Sequence, residues 1–205
     1  MSYPDANDVY RVLKPFEQSI VAVHLRAWDR LFNNPEFATM VYGQTGTGVM
    51  FDLLSQEVLV EFGENKDVTL VPYQGRSLRM IFDGPDGRVI ARCKHGSNRG
   101  LGQNIDTKAN WKFIDVEAQL PGMPEDAMKV EILWYENLMR TKIDSVEITA
   151  RDGKHKLWSY AIGKEPDVAT LPFIEPAGPT APTKAAGELV TLKPVKKTTE
   201  NEDDE

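Results

Sequence analysis

Residues Gly43-Gln44-Thr45-Gly46-Thr47-Gly48-Val49-Met50 carry the spacing of a phosphate-binding loop without its chemistry. The pattern G-x-x-x-x-G-K-[ST] needs a lysine for the β/γ-phosphates and a hydroxyl for Mg²⁺. Val49 and Met50 stand at those two positions. The stretch therefore argues against an NTPase and reads as a Gly/Thr loop that starts the next helix. No other nucleophile or metal-ligand motif replaces it. There is no H-E-x-x-H and no nucleophile elbow. His24, His95 and His155 are scattered; His24 reads as a part-buried or surface residue of the first helix. Cys93 and His95 supply two ligands where zinc needs more.

Carboxylates offer one further route to catalysis. Asp52, Glu57 and Glu61 recur near helical spacing, and Asp83 lies on a predicted hairpin. A metal nuclease pairs such groups with a Glu-x-Lys on a strand. Here Arg92-Cys93-Lys94 puts arginine where the carboxylate belongs. No catalytic residue, cofactor or metal ligand is assigned.

The most prominent surface feature is basic. Between Arg76 and Lys112 there are eight Lys/Arg against three Asp, a net of +5, in a chain whose total is −7. On the predicted strand Arg88–Lys94, alternation places Arg88, Ile90, Arg92 and Lys94 on one side. The charges then form an exposed row with a spacing of about 7 Å. Arg99, Lys108 and Lys112 extend the candidate binding surface. Such a row suits nucleic acid or an acidic protein surface. Asp83, Asp86 and Asp106 lie nearby, and Arg88–Leu101 lacks stacking aromatics.

The elements that must position these residues read as follows. Asp5, Asn7 and Asp8 are candidate N-caps for an amphipathic helix through Val9, Leu13, Phe16, Ile20, Val23 and Ala27. Pro15 should kink it, and Asn34-Pro35 should end it. A second helix spans Val49 to Phe62, with Gly63 at its C′ position. From Asp67 the apolar period changes to two. Strands are expected at Asp67–Val71, Ser77–Phe82, Arg88–Lys94, Trp111–Ala118, Met128–Tyr135, Ile143–Ala150 and Lys156–Ile162. Two hairpins turn at Asp83–Gly87 and Arg151–Lys154. Trp158 should anchor the core from the last strand. The fold class is α+β: two N-terminal helices packed on a mostly antiparallel sheet of six or seven strands.

Residues 1–163 form the expected globular domain. Residues 164–205 hold six prolines, five Lys and nine Asp/Glu, the composition of a disordered acidic tail. Gly187–Leu192 is its one strand-like island. The single cysteine excludes an internal disulfide framework. No signal peptide or membrane-spanning run is legible, so the expected location is the cytoplasm.

Asn104-Ile105-Asp106-Thr107, Leu120-Pro121-Gly122-Met123-Pro124 and Gly153-Lys154-His155-Lys156-Leu157-Trp158-Ser159 resemble motifs of a set of uncharacterised bacterial proteins. Their genes often lie beside those of ImmA/IrrE-type zinc peptidases, in mobile or toxin–antitoxin-like settings. The resemblance covers about residues 8–162. It departs at Gly43–Gly48, where the set carries a polar Ser-Pro-Arg-like helix start. It implies a regulatory, antitoxin-like role with a protein partner, a zinc peptidase or toxin encoded nearby, and supplies no catalytic residues. The expected function is therefore a non-enzymatic protein-binding regulator, antitoxin-like or phage/defence-associated. Nucleic-acid binding through the basic hairpin is the first alternative and a divergent metal nuclease the second.

Overall fold

The computed structural model describes residues 3–38, 43–73, 77–103 and 107–163. The predicted acidic tail and its strand-like island lie outside the described residues, as does Asp106.

The first helical stretch is divided, as Pro15 requires. Helix α1 (Ala6–Leu13) is capped by Asp5, whose carboxylate accepts from the N–H groups of Asn7 and Asp8. A 3₁₀ turn at Lys14–Phe16 contains the proline, and α2 (Glu17–Phe32) resumes beyond it. A short α3 (Pro35–Ala38) follows. Helix α4 runs from Gly43 to Phe62. The expected glycine loop is thus the first turns of a helix. Thr47 Oγ1 donates to the Gly43 carbonyl at 3.0 Å, a bond within one helical turn. Glycine disfavours helix by about 1 kcal/mol per residue. Burial of Met50, Leu53, Leu54 and Val58 further along the same helix overrides that local preference. Gly63 also differs from expectation. Its N–H bonds to the Leu59 carbonyl at 3.0 Å, and it is not among the positive-φ glycines.

Six strands form one sheet in chain order: β1 (Val68–Tyr73), β2 (Ser77–Gly84), β3 (Gly87–His95), β4 (Met128–Glu136), β5 (Ile143–Asp152) and β6 (His155–Ala161). All neighbours are antiparallel except β3 and β4. The β2–β3 turn is Pro85-Asp86, closed by the Gly84–Gly87 pair. Gly87 takes φ 128°, which a side chain would disfavour. A parallel pair needs a long crossover. Residues 96–127 provide it, and they cover the sheet face that the N-terminal helices leave open.

That crossover corrects the expected strand at Trp111–Ala118. Residues Lys108–Ile114 form helix α5, whose N-cap Thr107 accepts from the Asn110 N–H at 3.2 Å. Phe113 and Ile114 are buried with Ile81, Ile90 and Leu120. The alternation of Trp111 and Phe113 fits a strand, but Trp111 and Lys112 are exposed together and Phe113 and Ile114 buried together, as on a helix seated on a sheet.

The larger core lies between α1, α2, α4 and the other face. Val89, Ala91 and Cys93 enter it from β3, Val130, Ile132 and Trp134 from β4, Val146, Ile148 and Ala150 from β5. Trp134 is 1% exposed and touches the rings of Phe51, His24 and His95. It is the aromatic anchor that Trp158 was expected to be. Trp158 is half-buried on the edge strand, and its indole N–H donates to the Pro4 carbonyl at 2.6 Å. Among the described residues no helix is long and apolar enough to cross a membrane.

Candidate functional site

Of the six basic residues singled out from the sequence, three sit on the β3 face and are already engaged. The alternation is as read: Ile90 and Arg92 share the face opposite Val89 and Ala91. The exposure is not. Arg88 pairs with Asp83 at 3.0 Å and Asp126 at 3.7 Å. Arg92 is only 4% exposed. Its guanidinium is 4.0 Å from the centre of the Phe113 ring and binds the Glu131 carboxylate at 2.6 Å. Lys94 is half-buried, with Nζ 5.6 Å from the Phe51 ring centre. Burial first, then the nearby Arg92, lowers its pKa to about 8. The expected exposed row is therefore exposed at Arg88, covered at Arg92 and half-covered at Lys94. Alternation reports which residues share a face but not what lies over it. Arg99, Lys108 and Lys112 do remain exposed.

Behind α5 and the 96–103 loop the strands carry a buried charged row. Arg79 of β2 stands beside Arg92 of β3, which pairs in register with Glu131 of β4, and Glu131 with Thr149 of β5. All four are buried, as is Arg151. Glu131 Oε1 meets Arg92 at 2.6 Å. Its Oε2 accepts from the Gly102 N–H at 3.1 Å and lies 3.5 Å from Arg151. Gly102 has to be glycine there. A Cβ would fall 2.7 Å from Glu131 Oε2 and 2.9 Å from Lys94 Cβ. Nearby, Lys129 Nζ donates to the carbonyls of Ala118, Asp115 and Lys112, pinning the chain that follows α5. The row acts as a clamp: a carboxylate bound on both oxygens holds the crossover onto the sheet.

The remaining chemical candidates are also structural. Glu57 accepts from Arg26 and Arg30 at 2.8 and 2.7 Å, and Glu61 from Arg26 and Ser19 at 2.7 Å each. These bonds hold both carboxyls below the usual carboxylate range and fasten α4 to α2. They do not join Asp83 in a metal-holding group. Among the described residues no group of three or more His, Cys, Asp or Glu could hold a metal ion. Cys93 is buried in the core, where desolvation raises its thiol pKa to about 12 and leaves it unreactive. His24 is fully buried, unlike the part-exposed residue expected. Nδ1 lies 2.7 Å from the Ile20 carbonyl, and desolvation lowers its pKa to about 4. His95 pairs with Glu136 at 3.4 Å.

One surface was not singled out from the sequence. The β4–β5 turn, Asn137–Lys142, exposes Leu138 completely, at 105% of the reference area, and Met139 at 81%. The turn is nonetheless firmly built. Asn137 N–H donates to Lys142 O at 3.0 Å, and Arg140 N–H to Asn137 O at 2.9 Å. The Asn137 amide oxygen accepts from Thr141 N–H at 2.7 Å, and its NH₂ donates to Thr141 Oγ1 at 2.7 Å. Arg140 adopts φ 55°, the one non-glycine residue in the left-handed region among the described residues. Its guanidinium pairs with Glu136 at 3.0 Å. The indole of Trp28 donates to Thr141 O at 3.3 Å, and the ring of Phe32, itself largely exposed, stacks on Trp28. Apolar side chains thus stand in water on a turn tied to α2. The sequence signal was modest: Leu-Met inside an Asn…Arg-Thr turn, where turn chemistry predicts polar residues.

No family model, curated protein or solved structure matches this chain.

Proposed function

We propose that this protein is a non-enzymatic regulator that works by binding a protein partner, and that the β4–β5 turn is its docking element. The observation that carries the reading is the exposure of Leu138 and Met139 on a turn closed on both sides of them by hydrogen bonds of Asn137, Arg140, Thr141 and Lys142. Exposed Leu and Met on a mobile loop would be unremarkable in energy terms. Held on a fixed turn, they have paid their ordering entropy before contact. Burying each is worth roughly 1.5–3 kcal/mol. The left-handed Arg140 adds a local strain of the kind that collects at binding sites. The matching surface on the partner is an apolar pocket wide enough for two adjacent side chains.

The antitoxin-like or defence-associated class of this regulator, its cytoplasmic setting and a partner encoded nearby rest on the resemblance in the Asn104–Thr107, Leu120–Pro124 and Gly153–Ser159 segments. The reading is supported further by the engagement of the candidate catalytic groups in fold-holding bonds. A nucleic-acid reading through the β2–β3 hairpin loses its central residue, because Arg92 lies under α5. The test is co-expression with the product of the adjacent gene, followed by size-exclusion chromatography. Leu138→Ser with Met139→Ser should separate the two proteins without altering the fold. Co-elution unchanged by that double substitution would overturn the turn as docking element.

A further inference from the structure

A second surface lies at the opposite side of the chemistry, where cations outnumber their partners. Helix α5 exposes Lys108, Trp111 and Lys112. The β5–β6 turn is locked to it by the Gly153 N–H, which donates to the Ile114 carbonyl at 2.8 Å. That lock brings Lys154 Nζ to 5.9 Å from the Trp111 ring centre. On the following strand, Lys156 Nζ lies 3.0 Å from the position a Cβ on Gly100 would take, so the Arg99 loop meets the same hairpin. Three segments far apart in sequence thus converge with five exposed cations and an exposed indole.

The cations are not neutralised where they stand. Arg99, Lys108, Lys112, Lys154 and Lys156 take part in no ion pair among the described residues. The acidic groups nearby, Asp115, Glu117 and Asp152, border the patch and offset part of its charge while two of them also hold the local chain. Asp115 accepts from the N–H groups of Glu117 and Ala118, and Asp152 from Val116 N–H and the Tyr3 hydroxyl. Glu117 is exposed at the border of the patch. With those three carboxylates counted against five cations the patch keeps a net of +2 in a chain that carries −7.

The aromatic decides the class of ligand. Trp111 is 41% exposed, the most exposed tryptophan among the four. A polyanion needs only the lysines. An indole set among them adds a platform for a flat, polarisable group. Backbone phosphates beside unpaired bases are the anion that carries such groups at every repeat. A duplex hides its base faces, and an acidic peptide has none. We infer that α5, the β5–β6 hairpin and the Arg99 loop form a binding surface for single-stranded nucleic acid, with a base stacked on Trp111 and phosphates held by Lys112, Lys154 and their neighbours.

The experiment is fluorescence anisotropy of the full chain with a labelled oligothymidylate of about a dozen nucleotides, at low and at physiological salt. Binding should weaken with salt, with a slope of about −0.7 per phosphate contacted. Trp111→Ala should weaken it roughly ten- to a hundredfold. Lys112→Glu with Lys154→Glu should abolish it. Thermal unfolding of each variant separates loss of binding from loss of fold, and Trp111→Phe, which keeps a ring, should restore most of the affinity if Trp111→Ala proves unstable. Absence of binding at low salt would overturn the inference. So would unchanged affinity in Trp111→Ala, or a duplex or polyglutamate bound as tightly as the single strand. The turn at Leu138 takes no part in this site, so its failure as a protein-docking element leaves this result unaffected.

Discussion

On β4, Val130, Ile132 and Trp134 enter the core beneath the N-terminal helices, while Glu131, between them, enters a buried row with Arg92 and Arg151. The strand is the same and both directions are closed to water. The apolar face is held by area and by fit. The charged face is held by compensation, because a carboxylate accepting from two arginines and a backbone N–H keeps charges in a place that would otherwise expel them. The lesson is that the two faces should fail differently. Loss of volume breaks one; loss of a single charge, with volume kept, breaks the other.

The largest effects test that contrast directly. Glu131→Gln removes no bulk but takes from Arg92 and Arg151 the charge of the carboxylate they share. It should destabilise by about 3–5 kcal/mol in chemical denaturation. Trp134→Ala should cost about as much, through a cavity. The two faces part company in the rescue. Adding Arg92→Met to Glu131→Leu should recover part of the loss, whereas no substitution of charge rescues Trp134→Ala. If Glu131→Gln were nearly neutral, the charged face would be solvated and the comparison would collapse.

His24 gives an effect of intermediate size on the apolar face. Its folded pKa of about 4 lies below the ordinary value of 6.5. Between those values the unfolded chain binds the proton and the folded chain does not. Stability is therefore fully present above about pH 6.5 and falls as pH drops towards 4, at up to about 1.4 kcal/mol per pH unit. His24→Phe should flatten that dependence in urea titrations run across the window. A slope that persists in the variant would assign it to other groups.

Trp158→Ala should cost less than Trp134→Ala, about 2 kcal/mol, since the ring is half-buried and loses one bond to Pro4. Equal losses for the two tryptophans would mean that Trp158 is as deeply anchored as Trp134. At the small end, Leu138→Ser and Met139→Ser should change stability by less than about 0.5 kcal/mol, because neither side chain is buried.

The strands and both hairpins were legible because period-two alternation and the Asp83–Gly87 and Arg151–Lys154 turns point the same way. The α+β class followed from them. Three features were not. The Gly43–Gly48 stretch has poor helix propensity and becomes helical as the first turns of a helix anchored further on by Met50, Leu53 and Leu54. The Trp111–Ile114 segment is too short for its period to distinguish helix from strand. The burial of Arg92 depends on a crossover whose path over the sheet is a long-range fact. The candidate site suffered most from the last of these. Alternation placed Arg88, Arg92 and Lys94 on one side correctly, yet only Arg88 of the three is exposed, and the other exposed members of the basic set are on the covering elements: Arg99, Lys108 and Lys112. Lys154 and Lys156 join them from a hairpin some forty residues later, which no local pattern foretells. Leu138 and Met139 could have been noticed, since two large apolar residues at the tip of a turn contradict its polar chemistry.

The most direct measurement of the central claim is the affinity of the wild-type chain and of the Leu138→Ser, Met139→Ser double variant for the adjacent gene's product, by isothermal titration with both proteins folded. The account predicts a complex with the wild type and a loss of at least about a hundredfold in the variant, whose unfolding midpoint matches the wild type, in keeping with two anchors worth roughly 1.5–3 kcal/mol each. Equal affinity for the two chains would contradict it.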